Sequence, residues 1–231
     1  MNIGLILAGG QGLRVGGDTP KQFLEADGHP VLWYSLHAFE EHSEIDALLL
    51  VVPREHLEQT AGQAEAWRFS KLRGVIAGGE TRRASSFCGL KAVAEFADPN
   101  DIVLIHDAAR PLVSPRIITD AIAAARQHGA ANTVVPLADS ILQTSDGQFM
   151  ANELRRDSLR AVQTPQSFRL GLALAAHCAA PQDDPSVTDD CGLVARMGLP
   201  VALVEGEERN RKITRPEDME WLRMVLRKDG E

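Results

Sequence analysis

This chain of 231 residues is short of positive charge, cysteine and aromatic rings, and each shortage removes a class of explanation. Its 24 Lys and Arg stand against 32 Asp and Glu, a net charge of −8, whereas gripping a nucleic-acid backbone calls for a basic face. Nucleic acid is therefore not expected as a partner. The cysteines are three, Cys88, Cys178 and Cys191, odd in number and widely spaced, which suits neither a disulfide framework nor a metal-type pair. They read as reduced, mostly structural thiols of a cytoplasmic protein, and no protein-held metal is expected. No run of about 18 apolar residues occurs, so no membrane span is expected. Met1-Asn2-Ile3-Gly4 leads straight into a strand pattern, leaving no room for a secretory signal. Familiar loops are missing too. A Walker-type loop needs a Gly-Lys pair, and none is present. A dinucleotide fingerprint starting at Gly10 and Gly12 would need a third small residue where Val15 stands. There is no Gly-x-Ser-x-Gly elbow for a hydrolase serine.

What is present is an alternation. Apolar runs bounded by turn residues occur at Ile3–Leu7, Ala47–Val52, Ile102–Ile105, Thr133–Val135 and Val201–Val204. Their shortness and continuity fit strands buried on both faces of a mainly parallel sheet. Between them, Ile117, Ile118, Ala121, Ile122 and Ala125 follow the spacing of one buried helical face. Met219, Leu222, Val225 and Leu226 do the same near the C-terminus, and Thr214 with Glu217 and Pro216 reads as a capping-box start for that helix. Trp33, Tyr34 and Phe39 share a helical pattern and are expected in the core. The class is α/β, a three-layer α/β/α sandwich, read as a single domain over residues 1–231. One segment breaks the rhythm. From about 138 to 162 no helical period exists, and Ile141-Leu142 and Phe149-Met150 flank an Asp146-Gly147 turn signal. This reads as a projecting β-hairpin arm. A two-stranded arm is marginal alone, so a homodimer built around it is expected, folding back onto its own domain being the other option.

The chemistry concentrates in five short motifs. The first runs Leu5-Ile6-Leu7-Ala8-Gly9-Gly10-Gln11-Gly12-Leu13-Arg14 and closes with Pro20-Lys21-Gln22-Phe23. Glycines without a Cβ let backbone N–H groups converge on an anion, which suits a phosphate cradle. Arg14 adds a planar fork of donors and Lys21 a compact point charge. That pattern points to a nucleotide-handling enzyme. Gly78-Gly79-Glu80-Thr81-Arg82-Arg83-Ala84-Ser85 is a glycine pair turning into a polar helix start, able to read a base or ribose. His106-Asp107-Ala108-Ala109-Arg110-Pro111 follows a buried strand, where open α/β sheets gather their ligands. Arg156 with Gln163-Thr164-Pro165-Gln166, and Arg211-Lys212-Ile213-Thr214, complete the set. His106 beside Asp107 is read as a structural strand-end residue.

Taken in order, Leu-Ala-Gly-Gly-x-Gly, Pro-Lys-Gln-Phe, His-Asp-Ala-Ala-Arg-Pro, Thr-Pro-Gln-Ser-Phe and Lys-Ile-Thr-Arg-Pro-Glu-Asp make a chain that resembles the 2-C-methyl-D-erythritol 4-phosphate cytidylyltransferase family along practically its whole length. The resemblance implies a Rossmann-like nucleotidyltransferase fold and a homodimer interlocked by the arm. It implies CTP and a polyol phosphate as substrates, with Mg²⁺ or another divalent cation carried mainly on the CTP phosphates. Residue by residue, it makes Ala8, Gly9 and Gly10 the loop around the triphosphate, and Arg14, Lys21 and Lys212 the catalytic cations. Gly79, Glu80 and Ser85 match nucleotide contacts, with Glu80 where Asp is commoner. Asp107, Arg110, Ser140, Arg156, Thr164 and Thr188 match positions around the sugar phosphate, Ser140 and Arg156 coming from the partner subunit. Ser140 stands where Thr is usual, and Leu13 where a cation is frequent.

The implied reaction transfers CMP to 2-C-methyl-D-erythritol 4-phosphate, releasing pyrophosphate on the non-mevalonate route to isoprenoids. The nucleophile is a phosphate oxygen already ionised near neutrality, given a second pKa of about 6, so no general base is needed. The protein must align two polyanions and stabilise charge at the reacting phosphorus and the leaving pyrophosphate. Arg156 and Arg110 fit the sugar phosphate, where a bidentate fork is preferable to a point charge. Two alternatives stay open. One is the sister group acting on D-ribitol 5-phosphate, towards which Ala8-Gly9-Gly10 leans while Asp107-Ala108-Ala109-Arg110-Pro111 leans away. The other is a non-catalytic nucleotide-binding regulatory subunit.

Overall fold

A computed structural model describes residues 1–9, 20–181 and 188–229 of the chain. Its centre is a seven-stranded sheet made of β1 (Asn2–Leu7), β4 (Ala47–Val52), β5 (Leu72–Ala77), β6 (Ile102–Asp107), β7 (Ala130–Pro136), β10 (Arg160–Arg169) and β11 (Ala202–Glu205). The spatial order is β11-β7-β10-β6-β1-β4-β5. β10 runs antiparallel to both β6 and β7, and the remaining pairings are parallel, so the carboxyl ends of six strands share one edge with the start of β10.

The sheet's two faces follow from the period of two along each strand. Ile3, Leu5 and Leu7 of β1, Leu49 and Val51 of β4, and Val103 and Ile105 of β6 join one apolar core. That core is closed by α3 (Arg82–Val93), α5 (Leu170–Ala179) and α6 (Asp190–Arg196). Ile6, Leu48, Leu50 and Leu104 face the opposite core with α1 (Val31–Glu40), α2 (Leu57–Trp67) and α4 (Pro115–His128). The three-layer α/β/α expectation is met. In α4, Ile117, Ile118, Ala121, Ile122 and Ala125 are all buried, the face read from the sequence. Ser114 caps it by accepting from the Ile117 N–H, and Gly129 at φ 86° ends it.

Four details differ from the sequence reading. β11 is an edge strand, so Leu203 is 65% exposed and only one of its faces is buried. β5 and β10 did not stand out as apolar runs, because β5 contains Arg73 and Gly74 and β10 contains Gln163-Thr164-Pro165-Gln166. The last helix, α7 (Pro216–Asp229), is capped by Asp218, not Glu217: its Oδ2 accepts from the backbone N–H of Thr214 and Arg215 at 2.8 and 2.9 Å. Phe39 is buried, but Trp33 sits half-buried between His29 and His37, stacked on both.

Two small hairpins complete the chain. β2 (Glu25–Ala26) pairs with β3 (His29–Pro30), and Ala26, Val31, Ile213, Met219 and Leu222 form a third apolar cluster that docks α7 there. β8 (Ile141–Thr144) pairs antiparallel with β9 (Met150–Leu154), which is the expected arm. Its connection is longer than a two-residue turn. Gly147 has φ 75°, and the Asp146 carboxylate accepts from the N–H groups of Gln148 and Phe149 at 2.9 and 3.0 Å.

Candidate active site

Parallel strands bring the loops after β1, β5, β6 and β7 to one edge, which is where the sequence motifs converge. Ala8 continues β1 by donating its N–H to Val51 at 2.7 Å. Gln22, buried in a short 3₁₀ turn (Lys21–Phe23), donates its amide to the Ala8 carbonyl at 2.6 Å. This bond sets Lys21 beside the end of β1. Gly10 and Arg14 lie outside the described residues. Ser85 in the first turn of α3 donates to the Gly79 carbonyl at 3.1 Å, and its Oγ sits so close to Gly9 and Gly78 that a Cβ on either would approach it to 2.9 or 2.6 Å. Gly9 and Gly78 are thus pressed against one buried hydroxyl. Thr81 caps α3 by accepting from the Ala84 N–H at 3.0 Å, so the positive end of that helix opens on the same edge. Glu80 is exposed beside it.

Asp107 ends β6 and is the electrostatic centre of the site. Its Oδ1 accepts from Arg82 Nε at 3.1 Å and its Oδ2 from Lys212 Nζ at 2.6 Å. Burial alone would raise its pKa, but Arg82 and Lys212 outweigh that and hold it well below the usual carboxylate range. Arg82 also reaches Asp190 Oδ2 through Nη1 at 2.7 Å. Asp190 is buried, and its other oxygen accepts from Ser86 Oγ at 2.6 Å and His177 Nε2 at 2.9 Å. Burial would raise Asp190 as well, and the bonds from His177 and Arg82 bring it below its ordinary value. Burial pulls the Arg82 guanidinium down, and the two carboxylates reverse this and keep it firmly protonated.

Behind Asp107, His106 and Thr164 are hydrogen-bonded to one another. His106 is fully buried, and its Nε2 lies 3.0 Å from the Arg110 carbonyl. A carbonyl only accepts, so Nε2 carries the proton and Nδ1 accepts from the Thr164 hydroxyl at 3.1 Å. Thr164 Oγ1 in turn accepts the Asp107 N–H at 3.0 Å. Burial pushes His106 down to about 4, so it is neutral, the structural role expected for it. Thr164 is buried with its hydroxyl spent on these two neighbours. It props Asp107 from behind.

Arg110 is tied down in the same way. It is buried, Nη1 donates to the Asn210 carbonyl at 2.8 Å, and Nη2 donates to the Val162 carbonyl at 3.2 Å. A fork clamped to two peptide carbonyls fixes the walls of a cleft, which Arg110 itself lines. Asn210 also donates to Gln163 Oε1 and the Thr164 carbonyl, and Ile213 N–H bonds to the Ala109 carbonyl. These ties lay the segment before α7 across the strand ends and deliver Lys212 to Asp107. The resulting open cleft, about 750 Å³, is lined by Arg110, Arg209, Arg211, Lys212 and Trp221, among others. Arg156 lines an adjoining cleft of about 520 Å³ that shares Pro136 and Ala138 with the first, and it donates to the Ala138 carbonyl at 2.9 Å. Ser140 is exposed at the base of the arm, and Thr188 is exposed just before α6. Within one chain, then, Lys21, Gly79, Ser85, Asp107 and Lys212 gather at the strand ends, while Ser140 and Arg156 belong to the arm.

The sequence reading passed over Arg82 as a site residue and did not single out Ser86, His177, Asp190 or Asn210. The available signal was polarity where strands need apolar residues: buried Gln163 and Gln166 must find partners, and those partners are Asn210 and the Asp190 N–H. Among the described residues, no group of three or more His, Cys, Asp or Glu could hold a metal ion.

This geometry agrees with the comparisons. The family model described as IspD, 2-C-methyl-D-erythritol 4-phosphate cytidylyltransferase, matches residues 3–228. The chain belongs to this family. A relative of that name from Geobacillus kaustophilus is 40% identical over 225 residues, covering 96% of this chain and 95% of the relative. Another from Clostridium novyi is 37% identical over 226 residues, covering 97% and 96%. Among solved structures, the 4-diphosphocytidyl-2C-methyl-D-erythritol synthase from Anaerococcus prevotii superposes with a TM-score of 0.83 at 30% identity, covering 98% of this chain and 96% of that one. Family members are cytidylyltransferases, nucleotidyl-transferring enzymes of an α/β fold, and the mainly parallel sheet described above is that fold.

Proposed function

We propose that this chain transfers CMP from CTP to 2-C-methyl-D-erythritol 4-phosphate, giving 4-diphosphocytidyl-2-C-methyl-D-erythritol and pyrophosphate. The observation that carries the reading is the convergence of Gly9, Lys21, the α3 N-terminus and an Asp107-held Lys212 on one strand edge, within a chain that matches the family from residue 3 to 228. In this reading a substrate phosphate oxygen attacks the α-phosphorus of CTP in line, the new P–O bond forming as the bond to pyrophosphate breaks. The nucleophile is already ionised, so no residue is asked to remove a proton. Ala8, Gly9, Gly10, Gly79 and Ser85 cradle the nucleotide, with Glu80 at its edge. Lys21 and Arg14 stabilise the triphosphate side, and Lys212 stabilises charge at the reacting centre. Asp107 presents its carboxylate to a substrate hydroxyl while orienting Lys212.

The donor set fits a divalent cation carried by the nucleotide and not one caged by protein, since Asp107 already holds two cations. Mg²⁺ bound to the phosphates shields their charge. The arm suits a homodimer. Leu142, Phe149 and Met150 are 55%, 73% and 67% exposed on a two-stranded ribbon, and Ser140 and Arg156 then complete the partner's sugar-phosphate pocket, to which Thr188 also belongs. Three unpaired thiols suit a reducing cytoplasm.

The experiment is pyrophosphate release from CTP and Mg²⁺ with either 2-C-methyl-D-erythritol 4-phosphate or D-ribitol 5-phosphate. Turnover of the branched substrate alone is expected. Turnover of ribitol phosphate alone would move the chain to polymer-precursor chemistry, and CTP binding without turnover of either would make it a regulatory subunit.

A further inference from the structure

Four charges at the strand ends form one continuous chain: Asp190, Arg82, Asp107, Lys212. Its two ends differ. The Asp190 end is rigid, with the carboxylate 2% exposed and held by Ser86, His177 and Arg82, and the backbone N–H bonded to Gln166 at 3.0 Å. The Lys212 end is open, its side chain 36% exposed at the cleft. Arg82 is the coupling between them. Its guanidinium spans two carboxylates, Nε to Asp107 and Nη1 to Asp190, and only a planar fork does both at once.

We propose that Arg82, anchored by Asp190, is a positioning residue that fixes one oxygen of Asp107 so that the other holds Lys212 in its reactive orientation. Without Asp190, Arg82 is left to pair with Asp107 alone and competes with Lys212 for that carboxylate. Without Arg82, Asp107 is free to turn about its side-chain bond and Lys212 follows it. Either change displaces the ammonium that faces the polyol phosphate and leaves the first glycine loop untouched, so the two substrates are affected unequally.

The test rests on the cytidylyl-transfer reading, and the wild-type protein controls for it: absence of pyrophosphate release from the wild type is a failure of that reading, not of this one. Arg82→Gln, Arg82→Lys, Asp190→Asn and the Arg82→Gln/Asp190→Asn double variant are compared. The readouts are kcat and KM for polyol phosphate, CTP dissociation measured directly, and melting temperature. Misplacement of a reacting group costs up to about 100-fold, so Arg82→Gln is expected to lower kcat/KM for the polyol phosphate about 30-fold, and Asp190→Asn about 10-fold. CTP dissociation is expected to stay within about two-fold of the wild type. Because Asp190 acts through Arg82, the double variant is expected at about 30-fold, whereas independent contributions multiply to about 300-fold. A multiplicative loss, or a parallel weakening of CTP and polyol phosphate that tracks melting temperature, overturns the proposal. Arg82→Lys keeps the charge without the fork and, at a partly exposed position, keeps the question answerable if Asp190→Asn does not fold; activity equal to the wild type in Arg82→Lys also overturns it.

Discussion

The strand-end site and the arm are built from the same chain by opposite rules. At the strand ends nearly every polar group has a partner within the chain: His106 uses both ring nitrogens, Thr164 its hydroxyl twice, and Asp107 both oxygens. In the arm, β8 and β9 bond to one another and project Leu142, Phe149, Met150 and Leu154 into solvent. The locked network holds Lys212 at the edge of a cleft, the kind of preorganisation that catalysis requires. The ribbon leaves an exposed apolar surface, and Arg156 sits at its foot. The contrast sets a site whose charged groups pair within one chain against a ribbon whose apolar side chains lie open.

The largest expected effect falls on the locked region. Removing one transition-state donor costs about 2.7–4 kcal/mol, so Lys212→Ala and Lys21→Ala should each lower kcat about 10²–10³-fold in a pyrophosphate-release assay. The global fold, followed by circular dichroism, should survive both. A loss below about ten-fold in either would move the reacting centre elsewhere.

Next comes the pH dependence of the locked network. His106 is held neutral with its pKa near 4, against about 6.5 in the unfolded chain. As pH falls from 7 to 5, the unfolded chain takes up a proton there that the folded chain refuses. Stability should therefore drop by about 2 kcal/mol across that window. Denaturant midpoints at pH 7 and pH 5 measure it, and His106→Gln should flatten the dependence by that amount. An unchanged dependence in His106→Gln would show that another group carries it.

The smallest effect on folding, and the most informative about the arm, concerns Leu142→Asp/Phe149→Asp. Both side chains are exposed, so the stability of the isolated subunit should change by less than about 0.5 kcal/mol. Sedimentation should nonetheless report a monomer, with KM for the polyol phosphate raised and CTP binding kept. An intact dimer in this variant would separate the arm from assembly.

Much of this was legible in the sequence because the signals were local. Apolar runs marked β1, β4 and β6, helical spacing marked α4, and an Asp-Gly pair marked the arm. The glycine loop with its cations and the His-Asp-Ala-Ala-Arg-Pro segment marked the strand-end chemistry. What was hidden depends on partners far apart in the chain. Arg82 and Asp190 are 108 residues apart, and Lys212 and Asp107 are 105 apart, so no window contains either pair. β10 was obscured because its buried Gln163, Thr164 and Gln166 look like loop residues until Asn210, His106 and Asp190 are in place around them. The hold of Arg110 on the Asn210 and Val162 carbonyls is likewise invisible locally.

The measurement that bears most directly on the contrast is subunit complementation between Lys212→Ala and Arg156→Ala. Each homodimer should be nearly inactive. If the arm serves its partner, a mixed dimer has one pocket with both lesions and one with neither. An equimolar mixture, half of it mixed dimers, should then recover about a quarter of wild-type activity. If Arg156 serves the same chain as Lys212, each pocket of the mixed dimer keeps one lesion. No recovery on mixing, with exchange of subunits verified, would contradict the account.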